Sequence, residues 1–234
     1  MKDVNETYAR FHTAHNPEHV YPSEWVVRTL LGRYPQHRMD PAGYAGAPIL
    51  DVGFGDGRNW PLLHNVGLRI HGIEITDDVV RLGEERAARL GIPVTLRVGR
   101  NSKIPFEADS FDYILASNSC YYVDAGTTFD DTLAEYARVL KAGGVLFATL
   151  PEIGGSICEG AIDRGQGHYE IRNDPWGLRN GYLFRTFLGR DDIVDAFSRW
   201  FEGFAIGLCR DDYYGVTIAY WLLVCRRKER LDGV

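Results

Sequence analysis

Three glycines at alternate positions, Gly53, Gly55 and Gly57, follow Asp51 in the stretch ILDVGFGDGRN, residues 49–59. Glycine takes up positive φ and lets a ligand come close to the backbone, so an apolar run ending in such a turn has the form of a nucleotide-cofactor loop. The free N–H groups that open the following helix are expected to point into the same space. A second acid, Glu74, ends the next strand-like run, LRIHGIE. An acid about 20 residues beyond the turn is the kind of group that accepts hydrogen bonds from ribose hydroxyls.

Two cofactor classes use a turn of this kind, and the neighbouring residues separate them. A dinucleotide fingerprint, GxGxxG/A, needs a small third residue so that helix and strand pack closely. Counted from Gly53, that place is held by Arg58, whose long guanidinium side chain does not suit it. Asp51 would also lie close to a pyrophosphate and repel it. The same carboxylate attracts a cation, and S-adenosylmethionine offers a sulfonium and an α-ammonium group without any phosphate. The turn therefore favours S-adenosylmethionine, with NAD(P)-dependent oxidoreduction as the alternative reading.

These residues must be held by alternating strands and helices. Strands are expected at Ile49–Val52, Leu68–Glu74, Val94–Val98, Phe111–Ala116 and Val145–Leu150, each short and apolar enough to be a buried parallel strand. Pro22, Ser23 and Glu24 open a helix that runs to Leu31. Thr76 caps another, whose early acids Asp77 and Asp78 suit the positive end of the dipole and which Gly91 ends. Helices are also expected over Thr127–Leu140, broken by Gly143 and Gly144, and over Asp191–Phe201. Two last strands, Phe204–Cys209 and Val216–Cys225, are joined by RDDYYG, short enough for a hairpin. The expected fold is α/β: a doubly wound, Rossmann-like sheet of seven mostly parallel strands, the last antiparallel, with a cap insert after strand five. Ligands bind such sheets at the carboxyl ends of the strands, where Asp51, Glu74, Asn101 and Asn118 all fall.

Four segments, ILDVGFGDGR at 49–58, HGIEIT at 71–76, IPFEADSFDYILAS at 104–117 and RVLKAGGVLFATLP at 138–151, occur here in an order and spacing that resemble the class I S-adenosylmethionine-dependent methyltransferase family. The resemblance runs from about Ile49 to Pro151. It implies one domain over residues 1–234, made of an N-terminal helical arm (1–46), a cofactor-binding core (47–151), a cap insert (152–187) and a last helix with two strands (188–234). It implies S-adenosylmethionine held by Asp51, Gly53, Gly55, Gly57, Arg58, Asn59, Glu74, Ile75 and Asn118, with Tyr8 of the arm closing over it. The family often has Gly-Asp after the third strand, the acid meeting the adenine amino group. Here that place reads Gly99-Arg100-Asn101-Ser102, so adenine contact falls to Asn101 or Ser102.

Methyl transfer from a sulfonium needs little help for the leaving group, and a base only where the acceptor is an unactivated hydroxyl or carbon acid. The insert at 152–187 is long, aromatic and rich in arginine, as a cap over an acceptor pocket would be. His168, Tyr169 and Glu170 in it are titratable neighbours and are the candidate catalytic bases, although each taken singly is more common as a structural residue. Arg172, Arg179 and Arg185 can hold a phosphate or carboxylate, or pair with the insert's own acids. Tyr121 and Tyr122 follow strand four at the pocket edge, and His12 and Tyr21 of the arm are further aromatic or titratable candidates.

The 234 residues carry 26 basic and 32 acidic side chains, a formal charge of −6, so no global field draws the protein to nucleic acid or to an anionic membrane. At the place where DNA-adenine methyltransferases have (N/D)PPY, this chain reads SNSCYY, and the Pro-Cys pair of cytosine methyltransferases is missing around Cys120. The acceptor is therefore expected to be a small polar metabolite: a sugar, a nucleotide sugar or a secondary-metabolite intermediate. A non-catalytic cofactor-binding module is a further alternative. The polar N-terminus and the absence of a long apolar run make a cytoplasmic protein the expectation. Cys120, Cys158, Cys209 and Cys225 have no ligand spacing and the acids are scattered, so no metal is expected. The oligomeric state is open.

Overall fold

A computed structural model describes residue 11 and residues 19–229. In chain order the elements are α1 (Glu24–Leu31), β1 (Arg33–Tyr34), β2 (His37–Arg38), β3 (Pro48–Val52), α2 (Trp60–Asn65), β4 (Arg69–Glu74), α3 (Asp77–Leu90), β5 (Val94–Val98) and β6 (Phe111–Ala116). They continue with α4 (Phe129–Val139), β7 (Leu140–Pro151), β8 (Ile162–Gly165), β9 (His168–Glu170), β10 (Leu183–Arg185), α5 (Arg190–Phe197), β11 (Phe201–Tyr213) and β12 (Val216–Arg227).

Seven strands form one sheet in the order β11-β12-β7-β6-β3-β4-β5. β3 is parallel to β4 and β6, β4 to β5, and β6 to β7, whereas β12 runs antiparallel to both β7 and β11. The chain leaves β3 toward β4 and β5, then crosses back to place β6 on the other side of β3. That reversal opens a crevice at the carboxyl ends of β3, β4 and β6, where open α/β sheets bind ligands.

Successive strand residues point to opposite faces, and both faces are covered. Leu50, Ile114 and Leu146 join one core with Leu133, Tyr136 and Phe197, while their neighbours Ile49, Leu115 and Phe147 join the other with Trp60 and Val79. Continuous apolar runs such as PILDV are the sequence image of this two-sided burial.

Thr76 caps α3 by accepting from Val79 N, and Gly91 ends it in the left-handed conformation, both as the sequence leads one to expect. α4 is opened by a reciprocal capping box between Thr128 and Asp131. Some boundaries differ. Gly143 and Gly144 do not separate α4 from its strand: β7 begins at Leu140, and the glycines sit where its register against β6 shifts, between Phe111 paired with Leu140 and Tyr113 paired with Val145. The last helix stops at Phe197, and Phe201 starts a strand. RDDYYG is mostly strand: β11 and β12 pair as far as Tyr213 with Val216, and only Tyr214 and Gly215 turn, both at positive φ. A two-residue turn of that hand matches the twist of a hairpin, which lengthens both strands.

The 152–187 insert contains a three-stranded antiparallel sheet in the order β10-β9-β8. It is joined to the main sheet's loops by bridges from Phe184 to Tyr122 and from Phe187 to Glu152. Cys120, Cys158 and Cys225 are buried, Cys209 on β11 is only partly so, and all four are free thiols. No helix among the described residues is long and apolar enough to cross a membrane.

Candidate functional site

The glycine turn leaves β3 with Gly53, Gly55 and Gly57 all at φ between 56° and 66°. Side chains would be strained there. Space forbids them as well: a Cβ on Gly53 would meet the Ser119 Cβ at 2.8 Å, and one on Gly57 would meet the Trp60 ring at 2.6 Å. Phe54 turns inward against Gly72 of β4 and Gly83 of α3, and its ring lies 5.1 Å from that of Trp60. Arg58 is not packed against the strand; it forms a two-point ion pair with Asp56 at 2.9 and 2.7 Å. α2 opens only at Trp60, after a further turn Trp60 N to Gly57 O, so the glycine loop stands apart from the helix end.

A cavity of about 460 Å³ opens at this loop. Asp51, Gly53, Gly55, Arg58, Asn59, Glu74, Ile75, Asn101 and Asn118 all line it. Asp51 lies between Gly72 of β4 and Leu115 of β6 in the sheet and is 1% exposed. Burial pushes its carboxyl up to about 8; the nearby Trp60 indole opposes the shift and the charge of Glu74 adds to it. The indole acts as a neighbouring dipole, since neither Trp60 Nε1 nor Asp51 Oδ2 has a partner at hydrogen-bonding geometry. A buried carboxylate oxygen left without a donor is costly. A cation at the cavity wall would remove that cost.

Glu74, 2% exposed, accepts from Gly55 N through Oε1 at 2.8 Å and from Ile75 N through Oε2 at 3.1 Å. An ionised carboxylate has about four acceptor directions, so two backbone donors do not by themselves fill it. Asn59 ties the loop to the N-terminal arm by accepting from Ser23 N at 3.0 Å.

Beyond β6 the chain enters the cavity wall through Asn118, at φ 57°. Thr149 on β7 fixes it in both directions, its Oγ1 accepting from Asn118 N at 2.8 Å and donating to Asn118 Oδ1 at 3.0 Å. Asn101 donates to Ser119 O at 2.8 Å and to Tyr122 O, and accepts from Tyr136 O–H. Its amide therefore frames the loop that carries Ser119 to Tyr122 with both N–H groups, and Oδ1 keeps one acceptor position.

Residues 50–148 match the family model described as a methyltransferase domain. The chain is 36% identical over 106 residues to the erythromycin 3''-O-methyltransferase of Saccharopolyspora erythraea, an alignment over 43% of this chain and 33% of that protein. It is 34% identical over 144 residues to the nocamycin O-methyltransferase of Saccharothrix syringae, covering 58% of this chain and 47% of that protein. Residues 50–148 thus form a methyltransferase domain, in agreement with the resemblance to the class I S-adenosylmethionine-dependent family. Less than half the length of each of these two relatives is spanned. The architecture agrees: the crystal structure of a SAM-dependent methyltransferase from Methanosarcina mazei superposes with a TM-score of 0.66 at 18% identity, over 90% of this chain and all of that one, a likeness of fold.

Several residues singled out from the sequence lie elsewhere than expected. His168, Tyr169 and Glu170 form β9 in the middle of the cap sheet, and none of them lines the cavity. Glu170 is held between Arg164 and Arg172, and the Arg164 guanidinium keeps its carboxyl below the usual range. His168 Nδ1 lies 3.3 Å from Gly165 O. Ser102 is spent on Asp124 Oδ2 at 3.1 Å and is absent from the wall. Arg185 pairs with Asp192. Cys120 is fully buried, donating to Thr149 O, with its thiol pushed up by burial. Tyr8 and His12 lie outside the described residues, and Tyr21 is an exposed residue.

Tyr122 and Arg179, both singled out from the sequence, do line the cavity, and Asp124, Trp176 and Tyr182 join them. The aromatic content of the insert signalled a pocket wall but not which of its rings would form it. Asp124 carried no signal at all: it faces Arg100 at 2.8 Å because residues 117–124 fold back over the end of β5.

Proposed function

We propose that this methyltransferase transfers a methyl group to a small polar metabolite held beneath the cap. The observation that carries the reading is Asp51 Oδ2, buried and without a donor, beside a glycine turn that admits a ligand. S-adenosylmethionine, bound there, supplies a methyl group on a positively charged sulfur. Asp51 offers such a cation a carboxylate oxygen that has no donor among the described residues, and Glu74 offers two carboxylate oxygens for ribose hydroxyls. Gly53 and Gly55 let the backbone come close to a ligand, Gly57 completes the turn behind them, and Arg58 and Asn59 border the same end. Ile75 and Asn118 complete the cofactor side, with Gly99, Arg100 and Asn101 forming the wall toward the adenine.

A small acceptor is supported by the scale of the cavity, which falls within the roughly 300–1,000 Å³ usual for small-molecule sites, and by the aromatic cap residues that line it. An acidic chain without a basic groove gives no support for a nucleic-acid substrate. The two O-methyltransferases reported above are named for small secondary metabolites, which is consistent with this reading. No histidine lines the cavity among the described residues. The two cavity acids nearest the surface, Asp56 and Asp124, are each engaged by an arginine. The chain's own contribution to transfer is therefore placement of the acceptor and exclusion of water.

Calorimetry with S-adenosylmethionine, S-adenosylhomocysteine and NAD(P), followed by transfer of a labelled methyl group into a metabolite extract, tests this. Binding of the first two and label in low-molecular-mass product is the expected result. Label only in protein or nucleic acid would overturn the acceptor class. Binding of NAD(P) instead would overturn the cofactor.

A further inference from the structure

Among the described residues three arginines line the cavity, and two of them are neutralised at short range. Arg58 meets Asp56 at 2.7 and 2.9 Å, and Arg100 meets Asp124 at 2.8 Å. Arg179 is different. Its contacts to Asp174 are 3.4 and 3.5 Å long, because the Asp174 carboxylate is already occupied by the loop itself, accepting from Leu178 N at 2.8 Å, Arg179 N at 2.9 Å and Trp176 N at 3.3 Å. The guanidinium is 25% exposed in its side chain and lines the cavity, and its Nη2 has no hydrogen-bond partner among the described residues.

Arg179 Nε donates to the Tyr122 hydroxyl oxygen at 3.1 Å. That bond fixes the role of the phenol. Burial pushes its ionisation up, so it keeps its proton, and with its oxygen accepting from Arg179 the O–H is left to donate; it has no acceptor among the described residues. Two donors, one of them charged, thus stand together on the cap side of the cavity. Trp176 lies 5.6 Å below the guanidinium, and Tyr182 meets Tyr122 edge-on at 5.1 Å, so the donors sit among flat apolar surfaces.

The geometry points to an acceptor that is a planar, unsaturated or aromatic small molecule bearing an oxyanion, a carboxylate or an ionised enol or phenol, whose negative oxygen is bound by Arg179 and Tyr122. This deepens the methyltransferase reading and rests on it for the cofactor. A guanidinium and a hydroxyl converging on one oxyanion are charge-assisted donors of the kind that discriminate against a neutral isostere. Arg179 and Tyr122 are then specificity-determining residues, and an acid so bound enters the site already ionised, which agrees with a cavity lined by no histidine among the described residues.

The test uses benzoate and benzamide, of equal shape and different charge, titrated against the full chain saturated with S-adenosylhomocysteine and, separately, without it. Benzoate is expected to bind about tenfold more tightly than benzamide. Arg179→Gln should bring the two within about twofold, and Tyr122→Phe, which keeps the ring, should weaken benzoate about tenfold. Both variants should hold S-adenosylhomocysteine with unchanged affinity, which also shows that they fold. Equal binding of the two probes, a preference for benzoate that survives Arg179→Gln, or no saturable benzoate binding at all would overturn the oxyanion site. Failure of the wild type to bind S-adenosylhomocysteine would overturn the cofactor reading instead, and the titration without it would still judge the anion site.

Discussion

Glu74 Oε1 accepts from Gly55 N at 2.8 Å, so the carboxylate at the end of β4 holds the middle of the glycine turn that follows β3. A residue proposed for the ribose is thus also a brace of the loop. Glu74→Ala should lower cofactor affinity and also loosen the turn, at a cost of about 1–3 kcal/mol for the stranded buried N–H groups. Glu74→Gln keeps an acceptor for one of them and should spare stability more than affinity. Thermal melting beside calorimetry separates the two effects; equal losses of stability in both variants would contradict the brace.

Asp51 provides the pH dependence. Its folded pKa, about 8, lies above the ordinary value near 4, so the native state without ligand holds a proton that the unfolded chain has lost. Its contribution is complete below about pH 4 and falls away as the pH rises toward 8. The melting temperature of cofactor-free protein should therefore drop across that window, less so in Asp51→Asn. A bound cation favours the carboxylate, so binding of S-adenosylmethionine at pH 7 should release close to one proton. Calorimetry in buffers of different ionisation enthalpy reads that number directly, and no release would show Asp51 to be away from the cation.

Gly83 lies inside α3, where alanine is ordinarily worth about 1 kcal/mol of stability over glycine. Here a Cβ would fall 2.7 Å from Phe54 and 2.9 Å from Leu96 in a buried contact. Gly83→Ala should therefore destabilise, by about 1–3 kcal/mol, and push Phe54 and with it the glycine turn out of place. Denaturant unfolding gives the sign; a gain in stability would mean that Phe54 moves without cost.

Asp174 has a fully buried side chain and collects three backbone N–H groups between residues 176 and 179. Asp174→Ala should release the segment that carries Trp176 and Arg179. Amide hydrogen exchange in residues 175–182 should rise while the β3–β6 core stays protected.

His168 and Tyr169 lie outside the cavity wall. Substituting each with alanine should leave methyl transfer within about twofold, as for ordinary surface positions. A loss of a hundredfold or more in either would return the catalytic assignment to β9.

The half of the cavity built around the glycine turn was legible in the sequence because each part is local. A strand buried on both faces reads as a continuous apolar run, a turn at positive φ reads as glycine, and an acid at a strand's end is carried to the ligand crevice by the parallel topology. Asp51, Gly53, Gly55 and Glu74 fall at the cavity for these reasons, while Gly57 packs against Trp60 and is absent from the wall. The cap half was legible only in part: Tyr122 and Arg179 stood among the candidates, Asp124, Trp176 and Tyr182 did not. Between residues 152 and 187 no periodicity assigns faces, and the pairing of β8, β9 and β10 decides which side chains reach the cavity. That register puts His168 and Glu170 among the arginines of the cap, while a loop wound around Asp174 delivers Arg179 to Tyr122, 57 positions away. Asn101 shows the same limit from within the core: its place at the end of β5 follows from sequence, but only the packing of Tyr136 and the 119–122 backbone against it decides that its amide serves the fold.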